Sequence, residues 1–366
     1  MAKKKVKSKK GSRIFGITSR LLMLVAAGLL VLSYGSMLVN PAKAWGMTLL
    51  GLMFVPLSVV NLLLLLWALK RLSRSFVIPL LALLPSFFFL GRYVQLSQDR
   101  ITEPQDPTLK VISYNVGRFS LHDEDTGISG RAQCADSVFA MLRRQDPDIV
   151  CLQEFRISDV NKVRAYLDRQ MRGYKADFYL FPASDGSAFG NVTLSRIPVK
   201  GKGKIKFEES ANLAIYTDYE VYDRRFRVYN CHFQSYNISL PGILRGFLNA
   251  DKAVMTETGY KMKRSIKRRP VQVDQVFSDI ENCPVEAFVC GDFNDNPMSY
   301  SYHRMTKGRK DSFREAGSGF GATFAGLWPL LRIDYILIPE RFNAIDHYTP
   351  RVDFSDHYPV ITTVEL

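Results

Sequence analysis

The sequence predicts an α/β fold: a layered α/β sandwich over residues 108–366, preceded by a membrane region with three transmembrane helices. Two patterns carry this expectation. From Thr108 onward, short β-rich apolar runs alternate with turns and a few helical stretches, and several strands are neighbours in sequence. Before that point lie long runs almost without charge, of the length a bilayer crossing needs.

The chain starts with a basic tail, residues 1–20, rich in lysine. Leu21–Val39 and Trp45–Leu69 contain no charged residue except Lys43 in the connection between them, and Phe76–Leu96 contains only Arg92. A crossing helix needs about 20 mostly apolar residues, so spans are predicted at about 21–39, 45–69 and 76–96. Pro79 and Pro85 weaken the third. The basic tail and the Lys70, Arg71, Arg74 connection belong in the cytoplasm by the positive-inside rule. Three spans from that start put the rest of the chain on the extracytoplasmic side of an inner or plasma membrane. A cleaved signal ending at Ala42-Lys43-Ala44 is a second reading of the first run, and it leaves the same side. Residues 97–107 read as a polar linker.

Charge divides the same way. Of 49 basic residues, fourteen lie in residues 1–100, against one acid, Asp99; the remainder carries 35 basic and 34 acidic residues. The net charge of +14 therefore belongs to the N-terminal region and gives no argument that the downstream domain binds nucleic acid. Within that domain, Lys261–Arg269 is the dense basic run, read here as a solvated loop, with an acidic-lipid or nucleic-acid contact as the alternative. The five cysteines show no metal-type spacing, and Cys151, Cys231 and Cys290 sit in strand-like runs as small apolar residues.

Strands are expected at Lys110–Asn115, Ile149–Gln153, Phe178–Phe181, Asn191–Ser195, Leu213–Glu220, Arg225–Phe233, Ala287–Gly291, Arg332–Ile338 and Pro359–Val364. Helices are expected at Gly130–Gln145, Ser158–Met171, Leu240–Tyr260 and Pro270–Glu281. Polar residues gather where these strands end, which is where strand-borne sites open. They are Asn115, Glu154, His232, the Asp292–Asn294 pair, Asp334 and the Asp356–His357 pair. Hard oxygen donors such as Asn115, Glu154 and Asp356 suit Mg²⁺ or Mn²⁺ rather than zinc. Asp292 can orient or deprotonate water, and Asn294, His232 and His357 can donate to a charged transition state. Singly each has a plainer reading: a solvated strand end, a packed histidine, a turn. Their order along one chain is what points to phosphoester chemistry.

That order resembles the endonuclease/exonuclease/phosphatase superfamily, with its deoxyribonucleases, neutral sphingomyelinases and inositol-polyphosphate phosphatases. The carriers are SYNV with Asn115, DIVCLQE with Glu154, GNVTLSRIPV with Ser195 and Arg196, NCHF with His232, GDFND with Asp292 and Asn294, RIDYILIP with Asp334, and SDHYPV with Asp356 and His357. The resemblance implies a four-layer sandwich of two mixed sheets. It implies Glu154 as the principal metal ligand with Asn115 in support and Asp356 at the metal. Asp292 would hold the water or the metal, Asn294 and His232 would contact the phosphate, and His357 would pair with Asp334. His232 stands where abasic-site endonucleases carry a different motif, which argues against that branch; Cys231 replaces the usual threonine.

The expected function is thus a membrane-anchored, Mg²⁺- or Mn²⁺-dependent phosphoester hydrolase of bacterial type, with the lipid bilayer as partner. Nucleic acid, a phospholipid headgroup and a small phosphorylated metabolite all remain open as substrate. The alternative is an inactive member serving as a binding or scaffold module at the membrane.

Overall fold

A computed structural model describes residues 2–96 (side chains from residue 16), 104, 106–120, 130–236, 249 and 251–366. The chain forms two compact units, residues 1–91 with 298–300, and residues 92–297 with 301–366.

In the first unit a helix spans Ala2–Gly35 and ends in a 3₁₀ turn, Ser36–Leu38. Its segment Gly16–Leu38 is long and apolar enough to cross a membrane. It is the one unbroken helix among the described residues that is, so the expectation of three transmembrane helices is corrected. The second run is two helices, Trp45–Leu52 and Phe54–Lys70, bent by 55° at Met53. Pro56 has no N–H to return to the Leu52 carbonyl, which loosens the ladder at that point. The third run is broken more finely. Helices Val77–Leu83 and Phe87–Leu90 flank a 3₁₀ turn at Leu84–Ser86 that contains Pro85, and the whole apolar stretch is Arg74–Leu90. Buried polar groups tie these pieces together. Asn61 Nδ2 donates to Ala26 O (3.0 Å), and Tyr34 Oη bonds Ala82 O and Ser86 Oγ, each at 2.7 Å.

The second unit contains two six-stranded mixed sheets. One runs β13 (Asn343–Tyr348), β14 (Val360–Glu365), β2 (Thr108–Asn115), β3 (Ile149–Ile157), β5 (Ala188–Ser195), β4 (Lys175–Pro182). The other runs β10 (Arg309–Asp311), β12 (Asp334–Pro339), β9 (Glu286–Asp292), β8 (Arg224–His232), β7 (Leu213–Val221), β6 (Gly201–Lys206). Each sheet has one parallel pair, β2–β3 and β8–β9. A short ribbon joins β1 (Val94–Gln95) to β11 (Gly319–Phe320), so Val94 and Gln95 end in a strand rather than in a membrane helix.

Alternation along the strands builds the layers. Val111, Ile149, Cys151, Val228, Phe288, Cys290 and Ile336 form one cluster, which holds the two sheets face to face. Their neighbours Ile112, Val150, Leu152, Val192 and Leu194 point to the other side. There they meet Val138, Phe139 and Leu142 of helix Arg131–Gln145 and Val163 and Leu167 of helix Val163–Gln170. Three buried carboxamides stitch the sheets between: Gln153 Nε2 donates to Asn230 Oδ1 (2.8 Å), Asn230 Nδ2 to Val192 O (3.0 Å), and Asn191 Nδ2 to Asn230 O (3.0 Å).

All nine expected strands are present, with ends shifted by a few residues. The short polar strands β6, β10 and β13 were not expected, because GKGKIK, RKD and NAIDHY carry little apolar pattern. Two helical expectations change. The stretch expected as Ser158–Met171 is helical over Val163–Gln170 behind a 3₁₀ turn. One continuous helix, Lys252–Glu281, replaces the helix–loop–helix expected around the basic run; residues 240–248 and 250 of that expectation lie outside the described residues. Pro270 sits inside this helix, and the run is helical rather than a solvated loop, with Arg269 wholly buried.

Candidate functional site

Four strands bring the polar ends together. In the register, Asp292 lies beside His232 on one flank and beside Asp334 on the other. Asn115 reaches across from the first sheet and donates through Nδ2 to Asp292 Oδ2 at 2.9 Å. Asn294 stabilises the same carboxylate twice, through its backbone N–H to Oδ1 (2.7 Å) and Nδ2 to Oδ2 (2.9 Å). Its second amide proton goes to Phe233 O (3.0 Å), so both are engaged within the protein.

Glu154 arrives by a different device. By strict alternation it would follow Val150 and Leu152 towards the helices. A register shift between Leu152 and Phe155 interrupts β3, and Glu154 adopts φ +52°. Phe155 then takes the helix side, which is where it packs. The bulge re-aims the carboxylate so that its Oε1 faces His232 Nε2 at 3.7 Å. Asn294 likewise holds φ +52°. Such strain in two site residues is sustained by the bonds around them.

His357 precedes β14. Its Nδ1–H donates to Asp334 Oδ2 at 2.9 Å, and its Nε2 lies 3.9 Å from Asp292 Oδ2. Thr323 fixes the start of β12 by accepting from the backbone N–H of Ile333 and Asp334 (3.0 and 3.1 Å). The Phe324 ring lies edge-on to His357. Burial opposes a charged His357 ring, but Asp334 and Asp292 outweigh it and raise the pKa to about 10. Burial and then Asp334 push the Asp292 pKa up to about 6, against the pull of the two histidines.

Of the expected residues, Asn115, His232, Asp292, Asn294, Asp334 and His357 form one buried group, with Glu154 at its rim. Asp356 stands apart from that hydrogen-bonded group. It is exposed, and its Oδ1 accepts from Ser355 Oγ (3.3 Å) beside Gly117. Arg118 was not foreseen: its Nε donates to Glu154 Oε2 at 2.9 Å while its guanidinium covers the Phe189 ring. A single arginine in a loop gives no periodic signal.

The donors suit a divalent cation. Asp292, Asp334 and His357 present ligand-type atoms within 4.8 Å of one another. Asp334 Oδ1 and His232 Nε2 are buried without a hydrogen-bond partner. The unsatisfied oxygen of Asp334, the Asp292 carboxylate and the Asn115 amide beside it form a hard-donor set. His357, spent on Asp334 and held charged, is the poorest ligand of the three.

A model of the endonuclease/exonuclease/phosphatase family matches residues 112–357, and a domain of unknown function matches residues 13–93. No curated protein sequence matches the chain. Among solved structures, the fold is similar to an endonuclease/exonuclease/phosphatase from Beutenbergia cavernae (20% identity, 71% of this chain and 72% of that one, TM-score 0.50). It is similar to another from Bacteroides vulgatus (16%, 71% and 99%, 0.51). A third is the human Nocturnin catalytic domain with bound sulfate (16%, 72% and 98%, 0.50).

Proposed function

The chain belongs to the endonuclease/exonuclease/phosphatase family, whose members hydrolyse phosphoesters and generally depend on a divalent metal, and we propose that it is a Mg²⁺- or Mn²⁺-dependent phosphoester hydrolase anchored in a membrane. The observation that carries the hydrolase reading is the convergence of Asn115, His232, Asp292, Asn294, Asp334 and His357, with Glu154 at 3.7 Å from His232. A binding module would not need this complete a set, which is why the scaffold reading is the weaker one.

The cation would be held by Glu154 with Asn115 in support, beside the Asp292 and Asp334 carboxylates; Asp356, exposed and bonded to Ser355, would complete the set from outside the buried group. When bound, it would polarise the phosphoryl oxygens and neutralise charge that develops on them. Asp292, with its pKa raised to about 6, would take a proton from the attacking water near neutral pH. Asn115 and Asn294 hold that carboxylate in one orientation. His357, kept charged by Asp334, would donate to the phosphate as charge builds. The unpartnered Nε2 of His232 would serve the same oxygens.

The membrane reading rests on Gly16–Leu38 and on its exposed apolar side chains, among them Leu21, Leu22, Leu24, Val25, Val31 and Leu32. With the basic tail in the cytoplasm, a single crossing puts the catalytic domain outside.

The test is hydrolysis of bis(p-nitrophenyl) phosphate by the full chain in detergent, with Mg²⁺ or with EDTA. Activity is expected only with metal, and Glu154→Ala and Asp292→Ala should each lower it by at least ~10². Folded wild-type protein that is inert with Mg²⁺ and Mn²⁺ would sink the enzyme reading. A periplasm-dependent reporter fused after Leu366 should be active; a cytoplasmic signal would refute the single crossing.

A further inference from the structure

A pocket of about 370 Å³ adjoins the site. That is the scale of small-ligand sites, roughly 300–1,000 Å³. Glu154 and His232 line it together with Arg118. Lys261, Arg264 and Arg268 line it too, from the helix Lys252–Glu281. Their spacing of three and four residues sets them on one helix face. Lys263 and Lys267 of the same run are not in the lining.

The charge balance here differs from that of the domain. Four cations, Arg118, Lys261, Arg264 and Arg268, meet two carboxylates, Glu154 and Glu209, in the lining. Arg118 is bonded to Glu154, Arg268 to Glu209 (2.5 Å) and Lys261 to Glu257 (2.6 Å). No ion pair engages Arg264 among the described residues. Residues 101–366 taken together are nearly balanced, with 35 basic and 34 acidic residues, so this surplus is local. The hydrolysed phosphate would sit by Asp292 and His357, which leaves the basic wall for something else.

Resting on the hydrolase reading, we propose that this pocket binds a second phosphate of the substrate, so that the preferred substrate is a small molecule carrying two phosphates. Arg264 and Lys261 are the residues that select it. A strand of nucleic acid is less well served, because backbone binding recruits cations along an extended track. Over residues 101–366 as a whole the charges nearly cancel.

The experiment is titration calorimetry of the full chain in detergent micelles, without metal, using fructose 6-phosphate and fructose 1,6-bisphosphate as probes. The bisphosphate should bind about tenfold tighter, the weight of one charge-assisted hydrogen bond. In Arg264→Gln/Lys261→Gln that ratio should fall below about threefold. Lys267→Gln, which removes a charge from the same helix outside the pocket, should keep it. Equal binding of the two probes to wild type, or a ratio that survives the double substitution, overturns the proposal. So does a short single-stranded DNA that binds far more tightly than the bisphosphate and weakens as much with Lys267→Gln as with the double variant. The titration needs no turnover. Inactive protein that keeps the preference would support the pocket while refuting the hydrolase reading.

Discussion

Replacing Asp334 with asparagine tests whether the His357 charge works in catalysis or only in packing. The two side chains meet at 2.9 Å, both buried, and Asp334 is the principal group that holds the ring protonated against burial. Asparagine keeps the shape and an acceptor oxygen but removes the charge. A net hydrogen bond to a charged group contributes about 1.5–3 kcal/mol, more where the surroundings are dry. A loss of about 2–4 kcal/mol in the transition state corresponds to roughly 30- to 1,000-fold in rate. Stability should fall as well, because the buried His357 charge loses its principal partner; relief of the repulsion on Asp292 offsets only part of that. Asp334→Asn is therefore expected to lose about 10² in kcat on bis(p-nitrophenyl) phosphate, with a lower Tm. Steady-state kinetics and a thermal melt of the same preparation read both. Activity above about a third of wild type, in folded protein assayed well below its Tm, would refute a catalytic role for the pair.

Two further outcomes follow from geometry outside the catalytic pairings. Buried His347 accepts from or donates to Ser312 Oγ at 2.9 Å, and burial depresses its pKa to about 3. The unfolded ring titrates near 6.5, so stability is present above that value and drains as pH falls toward 3; between pH 7.5 and 5 the loss is ~2 kcal/mol from this group, and urea midpoints should show a flatter pH dependence in His347→Gln. Gly291 has φ +138° where β8 and β9 run parallel, and a Cβ there would lie 1.9 Å from the Cys231 carbonyl oxygen. Gly291→Ala should cost more than ~3 kcal/mol and leave little folded protein, measured by soluble yield and circular dichroism; normal yield would show that the strands can part.

The strands were legible because burial on both faces writes continuous apolar runs, as in Ile149–Leu152 and Phe288–Cys290. The residues at their ends were legible because each motif closes a strand. What escaped has one cause in common: it depends on contacts between segments far apart in sequence. The bulge that turns Glu154 inward is not written in IVCLQEF, whose alternation points that carboxylate the wrong way. Arg118 gains meaning only when Glu154 is beside it. The basic run read as a solvated loop from its composition. Its helical register shows only once Arg269 is seen buried against Asp295 at 3.2 Å, leaving Arg264 and Lys261 facing the pocket.

The membrane region makes the same point with a sharper consequence. Apolar length alone counted three crossings, whereas Pro56 and Pro85 cut the second and third runs into shorter helices. One crossing and three crossings leave the catalytic domain on the same side. Two would reverse it, and the bent pair Trp45–Lys70 is the segment that would supply the second. The side facing the substrate therefore turns on the break at Met53. If Pro56→Leu straightens that helix into a full span, the reporter after Leu366 should change sides while bis(p-nitrophenyl) phosphate hydrolysis in detergent stays as it was, since no catalytic residue lies in that segment.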